Sequence, residues 1–358
     1  MFRERFWAVL AFFLIGLMAV FGLNMAIPPE DAPDIGQLGK RAEFFTKTYQ
    51  DYNVLFVGTS STYRGVDPVL LQEVAARNGC DVRAFNFGIP KLRFTELRYL
   101  QERLTPEMLR GFDLIFLAPM ASSKIRPNNW SSDRIQYFSD FRGYWDSLVD
   151  IWHTPMVNAV PKQIYYSSLL TGAFAYRQLG IGRLADNFHE TSLGDDADQG
   201  SDVFGGDAIV DFSRHGHVAL DDEPSEQFAK RGQIIKDRPG YFDTLKQKNV
   251  SFDEFRGSSA ERALQRFEWT KDYFPDFEGT FGIFLPPLLT TRGQDTVLAE
   301  TAEAQGVPVL NYNLMDRYPE LFELEHWFDY YHLGRSGAEV LTRLIGEDIC
   351  PLLDQKKS

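Results

Sequence analysis

The sequence predicts an α/β protein with a central parallel sheet, a large helical insertion and one N-terminal transmembrane helix. Two observations predict the sheet. Short apolar runs alternate with amphipathic stretches of helical length before residue 120 and again after residue 259, which is typical of parallel strands with helices on both faces. The run DLIFLAP (113–119) is almost wholly apolar, as expected for a strand that helices cover on both sides.

The predicted strands and helices follow one another along the chain. Strands are predicted at 53–58, 81–88, 113–119, 279–287 and 308–313. Helices are predicted at 68–79, 95–109, 259–274, 295–306 and 336–348. In an open parallel sheet, ligands bind beyond the carboxyl ends of the strands. The residues predicted at those ends are Gly58, Gly88, Pro119 and Asn313.

The N-terminal run FWAVLAFFLIGLMAVFGLNMAI (6–27) carries no charged residue. About 20 apolar residues are enough to span a bilayer as a helix. Two arginines precede the run and three acidic residues follow it by residue 34, so the positive-inside rule puts the N-terminus in the cytoplasm. The sequence therefore predicts a single-pass anchor in the inner (cytoplasmic) membrane, with the rest of the chain periplasmic or otherwise extracytoplasmic. The alternative is a cleaved signal peptide.

The rest of the chain divides into four predicted segments. Residues 28–50 begin with PPEDAPDIGQLG, which predicts a proline-rich linker. The alternating pattern occupies 51–120 and 259–354. Between them, 121–258 holds aromatic-rich helical stretches and an acidic, glycine-rich tract, and this segment is predicted to be an insertion.

Composition excludes some functions. The net charge of −13 argues against a nucleic-acid surface, which needs clustered lysine and arginine. Cys80 and Cys350 form no metal-ligand pattern, and a disulfide between them is left open. His215 and His217 lack a third ligand at a defined spacing, so no metal is predicted, and no cofactor is predicted.

Two short segments on the predicted sheet edge carry a candidate serine nucleophile and the two residues that could activate it. The first, VGTSSTYRGVDP, follows the first strand and contains Ser60. The second, WFDYYHLGRSGAEVL, lies between the last strand and the last helix and contains Asp329 and His332. A serine hydroxyl needs a base to take its proton, and the base needs a third group to fix its tautomer. The pattern predicts Ser60, His332 and Asp329 in these roles.

These two segments, together with FNFGIP at residues 85–90, resemble the first, second and fifth sequence blocks of the SGNH (GDSL-type) hydrolase superfamily. The resemblance implies a three-layer α/β/α fold of SGNH or flavodoxin-like type over about 53–120 and 259–350. It implies that Ser60 is the nucleophile and that Asp329 and His332 complete the triad. It also implies an oxyanion hole made by the backbone N–H groups of Ser60 and Gly88.

The sequence departs from the family pattern in two places. Thr59 stands where most members have aspartate, and the neighbouring Ser61 is an alternative nucleophile. The third block, G-x-N-D, is absent after the third strand. The third oxyanion donor is then expected from one of the polar residues in LAPMASSKIRPNNW, namely Ser122, Asn128 or Asn129.

The predicted substrate is an O-acyl group, most simply acetyl, on an envelope or exported polysaccharide. Arg64 is expected either to bind an acidic substrate group or to form a structural ion pair with Asp67 or another carboxylate. The protein resembles, in layout, the anchored SGNH proteins of alginate O-acetylation, which implies a multi-pass membrane acyltransferase as partner. The aromatic side chains of the insertion, which include Trp130, Trp145 and Trp152, are expected to form its core or to cover an acceptor sugar. The rival hypothesis is a non-catalytic glycan-binding or scaffold subunit.

Overall fold

A computed structural model describes most of the chain. The described residues are 37–90, 104–119, 138–153, 159–178, 212–222, 226–250, 277–289 and 293–354, with isolated positions within 7–22, 92–97 and 267–274. The predicted helix at 259–274 lies largely outside them, and Ser122, Asn128, Asn129 and Trp130 lie wholly outside them. Among the described residues, no helix is both long enough and apolar enough to cross a membrane, and the predicted anchor at 6–27 falls largely outside them.

The protein is an α/β protein with a five-stranded sheet. The strands are β1 (Val54–Gly58), β2 (Ala84–Gly88), β3 (Leu114–Leu117), β4 (Thr280–Leu285) and β5 (Val309–Asn311). The sheet order is β2-β1-β3-β4-β5, and every neighbouring pair is parallel. The predicted parallel sheet is confirmed, with each strand inside the range that its apolar run predicted.

Helices follow the strands along the chain. In chain order they are α1 (Gln37–Thr48), α2 (Ser60–Gly65), α3 (Pro68–Arg77), α4 (Pro106–Leu109), α5 (Phe141–His153), α6 (Ala159–Gln178), α7 (Glu226–Asp237), α8 (Pro239–Val250), α9 (Gly293–Ala304), α10 (Arg335–Asp348) and α11 (Cys350–Asp354). In the described part of the chain, short 3-10 turns lie at Tyr49–Asp51, Leu220–Asp222, Pro319–Phe322 and Leu324–His326.

The sheet is covered on both faces because successive side chains of a strand point to opposite sides. On one face, Val54 and Phe56 share a buried cluster with Leu71 of α3 and with Leu341 of α10. On the other face, the ring of Phe85 lies 5.0 Å from the ring of Phe45 in α1. This arrangement is consistent with three layers, helix on sheet on helix.

The described residues differ from the prediction at three places. The predicted helix at 95–109 is not continuous, because residues 104–105 are not helical and α4 spans only Pro106–Leu109. Residues 37–48 of the predicted linker 28–50 form helix α1, in which Leu38 and Phe45 are fully buried. The chain also divides into two compact units, a sheet unit (residues 40–121 and 208–358) and a hairpin unit (residues 1–39 and 122–207). The last part of the predicted insertion 121–258 therefore belongs to the sheet unit.

The two cysteines form a disulfide. Cys80 follows α3 and Cys350 begins α11, and their Cα atoms are 5.6 Å apart across a sequence separation of 270 residues. The alternative of free thiols, which the sequence left open, does not occur.

Candidate active site

Ser60 stands at the turn from β1 into α2, at the carboxyl edge of the sheet. Gly58 ends β1, and a Cβ atom there would lie 2.0 Å from the Thr62 side-chain oxygen. Gly88 ends the neighbouring β2, where a Cβ atom would lie 2.3 Å from the Tyr63 backbone nitrogen. Two glycines at the strand ends therefore let α2 lie directly against the sheet. The turn leaves Ser60 half-buried at the sheet edge.

The predicted triad residues are brought together by the fold. Ser60 Oγ lies 2.8 Å from His332 Nε2, although 272 residues separate them in sequence. His332 Nδ1 lies 2.9 Å from Asp329 Oδ1 and 3.1 Å from Oδ2. With Nδ1 protonated and donating to the carboxylate, Nε2 is the acceptor that can take the Ser60 proton. The hydrogen bond runs to Ser60, and no bond from His332 to the alternative nucleophile Ser61 is found among the described residues.

The D-x-x-H spacing has a local explanation. Asp329 Oδ1 accepts the backbone N–H groups of Tyr331 (2.7 Å) and His332 (2.9 Å), so its carboxylate closes the turn that carries the histidine. The backbone N–H of Phe328 donates to the His332 carbonyl at 3.0 Å and holds the same turn from outside. The aspartate thus fixes both the backbone and the imidazole of His332.

Arg231, in α7, also contacts the carboxylate. Its Nε donates to Asp329 Oδ2 at 2.9 Å, its Nη2 contacts the same oxygen, and Nη2 lies 3.2 Å from His332 Nδ1. Burial alone raises the pKa of Asp329, but the hydrogen bond and charge of His332, the charge of Arg231 and the Tyr331 N–H outweigh it and lower that pKa to about 2. Asp329 is therefore a carboxylate at neutral pH.

Sequence reasoning missed Arg231. It lies in the stretch predicted as an insertion, within an ordinary polar helix, EQFAKRGQIIKD. No spacing ties this residue to Asp329, which follows 98 residues later. Only the fold brings the two together.

One of the two backbone N–H groups predicted to form the oxyanion hole, that of Gly88, already has a hydrogen-bond acceptor. It donates to Asn86 Oδ1 at 2.9 Å, so this donor is already engaged. The N–H groups of Thr62 and Tyr63 donate to the Thr59 carbonyl, whereas Ser60, the first residue of α2, has no intrahelical acceptor by its position. The Ser60 N–H is therefore the predicted donor that the geometry favours.

Asn86 is a second residue whose role the sequence did not reveal. This fully buried side chain donates through Nδ2 to the carbonyls of Thr62 (2.9 Å) and Val66 (2.6 Å). It ties the far end of α2 to β2 and so fixes the helix that carries Ser60. The residue lies inside the quoted FNFGIP segment, so its position was available, but its partners were not.

Arg64 was a candidate for substrate binding, but its side chain does not reach the site. Its side chain is 4% exposed, donates to the Val218 carbonyl at 2.9 Å and lies over the Tyr63 ring. Asp67 is bound instead by Arg214, and it also accepts the N–H of Val69 at the start of α3. Arg64 therefore packs behind α2, and the predicted ion pair with Asp67 is replaced by that of Arg214; an ion pair of Arg64 with another carboxylate stays a prediction.

His215 and His217 do not point to a common metal. His215 Nδ1 lies 3.0 Å from the Tyr52 hydroxyl, whereas the buried His217 has Nε2 3.3 Å from the Arg64 carbonyl. No group of three or more metal-ligating side chains is found in the described part of the chain. Burial, together with the charges of Arg214 and Arg64, lowers the pKa of His217 to about 4, although Asp67 acts in the opposite direction.

We expect the stability of the sheet unit to fall as the pH drops from about 6.5 to about 4. In that window the unfolded chain binds a proton at His217 and the folded chain does not, so the free energy of unfolding decreases with acidification. The substitution His217→Gln should flatten this part of a plot of urea midpoint against pH. His326→Gln, on a partly exposed turn, is the matched control. Equal slopes for His217→Gln and the wild type would contradict the assignment.

Comparison with known proteins gives no relatives: no family model, no curated protein and no solved structure matches this chain.

Proposed function

We propose that the protein is an SGNH-type, membrane-anchored extracytoplasmic enzyme that transfers or hydrolyses O-acyl groups, most simply acetyl, of an envelope or exported polysaccharide. The observation that carries the chemistry is the continuous hydrogen-bond chain from Ser60 through His332 to Asp329. A half-buried serine with a histidine at 2.8 Å and a carboxylate behind it is the arrangement that activates a hydroxyl. The three-layer fold of that superfamily is part of the proposal.

In the proposed mechanism, His332 Nε2 takes the Ser60 proton as Oγ attacks the acyl carbonyl. Asp329 stabilises the imidazolium that forms, and the Ser60 N–H donates to the oxyanion. His332 then returns the proton to the departing alkoxide, which leaves Ser60 acylated. Water or a sugar hydroxyl, deprotonated in turn by His332, attacks the acyl-enzyme and releases Ser60.

Transfer is favoured over hydrolysis only when an acceptor is held close and water is kept out. The polysaccharide acceptor and a multi-pass membrane acyltransferase as acyl supplier follow from the predicted anchor and from the family resemblance. These parts of the proposal rest on the sequence and not on the site geometry.

The test uses the full-length chain in detergent with p-nitrophenyl acetate as donor. Without a sugar acceptor, we expect slow release of p-nitrophenol, because the acyl-enzyme can then be cleared only by water. Adding mannuronate oligomers or chitooligosaccharides should speed release and yield an O-acetylated oligomer in the mass spectrum. If p-nitrophenol is released but every oligomer only inhibits its release and no acetylated oligomer forms, the protein is an esterase.

The rival is a non-catalytic glycan-binding subunit, which the engaged Gly88 N–H favours because one expected oxyanion donor is occupied. A fluorophosphonate probe separates the two, since only an activated serine reacts with it. Failure of the probe to label Ser60 in the folded chain would support the rival.

A further inference from the structure

Large apolar side chains are exposed unequally on the two units. The described part of the chain has thirteen such exposed side chains, and ten of them lie in the hairpin unit. Four belong to the N-terminal run, namely Trp7, Phe12, Ile15 and Met18, which are 59–81% exposed. Six belong to α5 and α6, namely Phe141, Trp145, Trp152, Val160, Ile164 and Tyr165. The sheet unit exposes only the remaining three in its described part.

On α5 the exposed aromatic residues form a stripe. Trp145 and Trp152 follow Phe141 by 4 and 11 residues, so at about 100° per residue all three lie within about 40° of one another. Their exposed fractions are 73% for Phe141, 57% for Trp145 and 47% for Trp152. A helix in water normally turns such a stripe toward the core. Here the stripe faces outward.

The buried side of α5 combines small and polar residues with Ile151, which forms a small apolar cluster with Leu170 and Ala173 of α6. Gly143 and Ser147, four residues apart, are buried, as is Asp150. In α6 the buried Gln163 donates to the carbonyl of Trp152 at 3.0 Å. The hairpin thus has a small apolar core and bonded polar groups inside, yet its largest aromatic side chains lie outside, as in amphipathic helices that lie at a membrane interface.

We infer that the apolar face of the α5–α6 hairpin rests in the interfacial layer of a phospholipid bilayer. Tryptophan and tyrosine are the residues enriched at that depth. The same compact unit contains the uncharged run at 6–27, whose described side chains are also exposed and apolar. A fluid bilayer can cover apolar groups spread over three segments, whereas a protein partner needs one continuous complementary patch.

This inference concerns a surface and is independent of the chemistry at Ser60, so its test uses no turnover. The native cysteines are paired, so an introduced cysteine is the sole free thiol. Cysteine is placed singly at Trp145, at Trp152 and at Ile164 of the full-length chain and labelled with an NBD fluorophore. The control is Lys162→Cys, an exposed position on α6 about 160° around the helix from both Val160 and Ile164. Circular dichroism confirms that each variant is folded.

Each labelled protein is reconstituted into vesicles of phosphatidylcholine and phosphatidylglycerol, 3:1, with and without lipid that carries a shallow doxyl group. We expect blue-shifted emission and at least about twofold doxyl quenching at positions 145, 152 and 164. The label at 162 should stay accessible to aqueous iodide and escape the doxyl group. Iodide quenching at all four positions would overturn the inference. A blue shift without doxyl quenching at 145 and 164 would also overturn it, because it would assign the face to a protein.

Discussion

Replacing Ser60 with alanine is expected to lower the turnover of p-nitrophenyl acetate by at least about 10³-fold. The substitution removes the only oxygen to which His332 Nε2 is bonded in the described structure, so no acyl-enzyme can form. The side chain is half-buried and small, and its loss should change the thermal unfolding midpoint little. Steady-state kinetics and a fluorophosphonate label measured on the same preparation check the result.

The matched control is Ser61→Ala, one residue further into α2. Both serines are half-buried and both follow the same glycine turn, so the two variants differ mainly in their relation to His332. We expect Ser61→Ala to keep most of its turnover. If it loses turnover while Ser60→Ala keeps it, the nucleophile is the neighbouring serine and the hydrogen-bond chain has been misassigned.

The second large effect is expected at Arg231. Arg231→Gln should lower kcat about 10- to 100-fold with little change in KM, because the guanidinium contacts Asp329 rather than the acyl group. The loss should stay below the about 10⁴-fold cost of disabling a triad aspartate outright. Arg231→Lys keeps the charge but loses the two-pronged contact, so it should recover part of kcat.

The same substitution should also alter acid stability. Because the pKa of Asp329 is depressed to about 2, its ionisation adds stability above about pH 4, and this stability is lost as the pH falls toward 2. Without the charge of Arg231 that contribution shrinks. The wild type should therefore exceed Arg231→Gln in urea midpoint at pH 5 and equal it near pH 2. An exposed arginine of the same unit, Arg343, supplies the control as Arg343→Gln. Unchanged kcat in Arg231→Gln would remove Arg231 from the site.

The strands could be predicted because each is an apolar run bounded by turn residues. Two of the strands, Val54–Gly58 and Leu114–Leu117, are wholly buried. Because neither has a solvent-facing side, each is a continuous apolar run in the sequence. Helix α1 was missed for the opposite reason. It follows a proline-rich, acidic stretch, and its buried Leu38 and Phe45 are spread among charged residues.

Within the site, local patterns could be predicted and remote contacts could not. Asp329 and His332 are joined by a turn of four residues, so their spacing is visible in the sequence. Ser60 could be placed because it follows the end of a predicted strand at the ligand-binding edge. The contact of Arg231 with Asp329 depends on how α7 packs, and no periodicity within EQFAKRGQIIKD records that packing.

The disulfide between Cys80 and Cys350 covalently joins the part of the chain that carries Ser60 to the part that carries His332. Any cut of the backbone within 121–211 would divide the chain into two pieces, with Ser60 on the first and His332 on the second. Each piece carries one of the two cysteines, so the pieces would stay tethered and the nucleophile would keep its base at high local concentration. Processing in the segment between the two halves of the sheet could thus occur in an oxidising compartment without separating the triad.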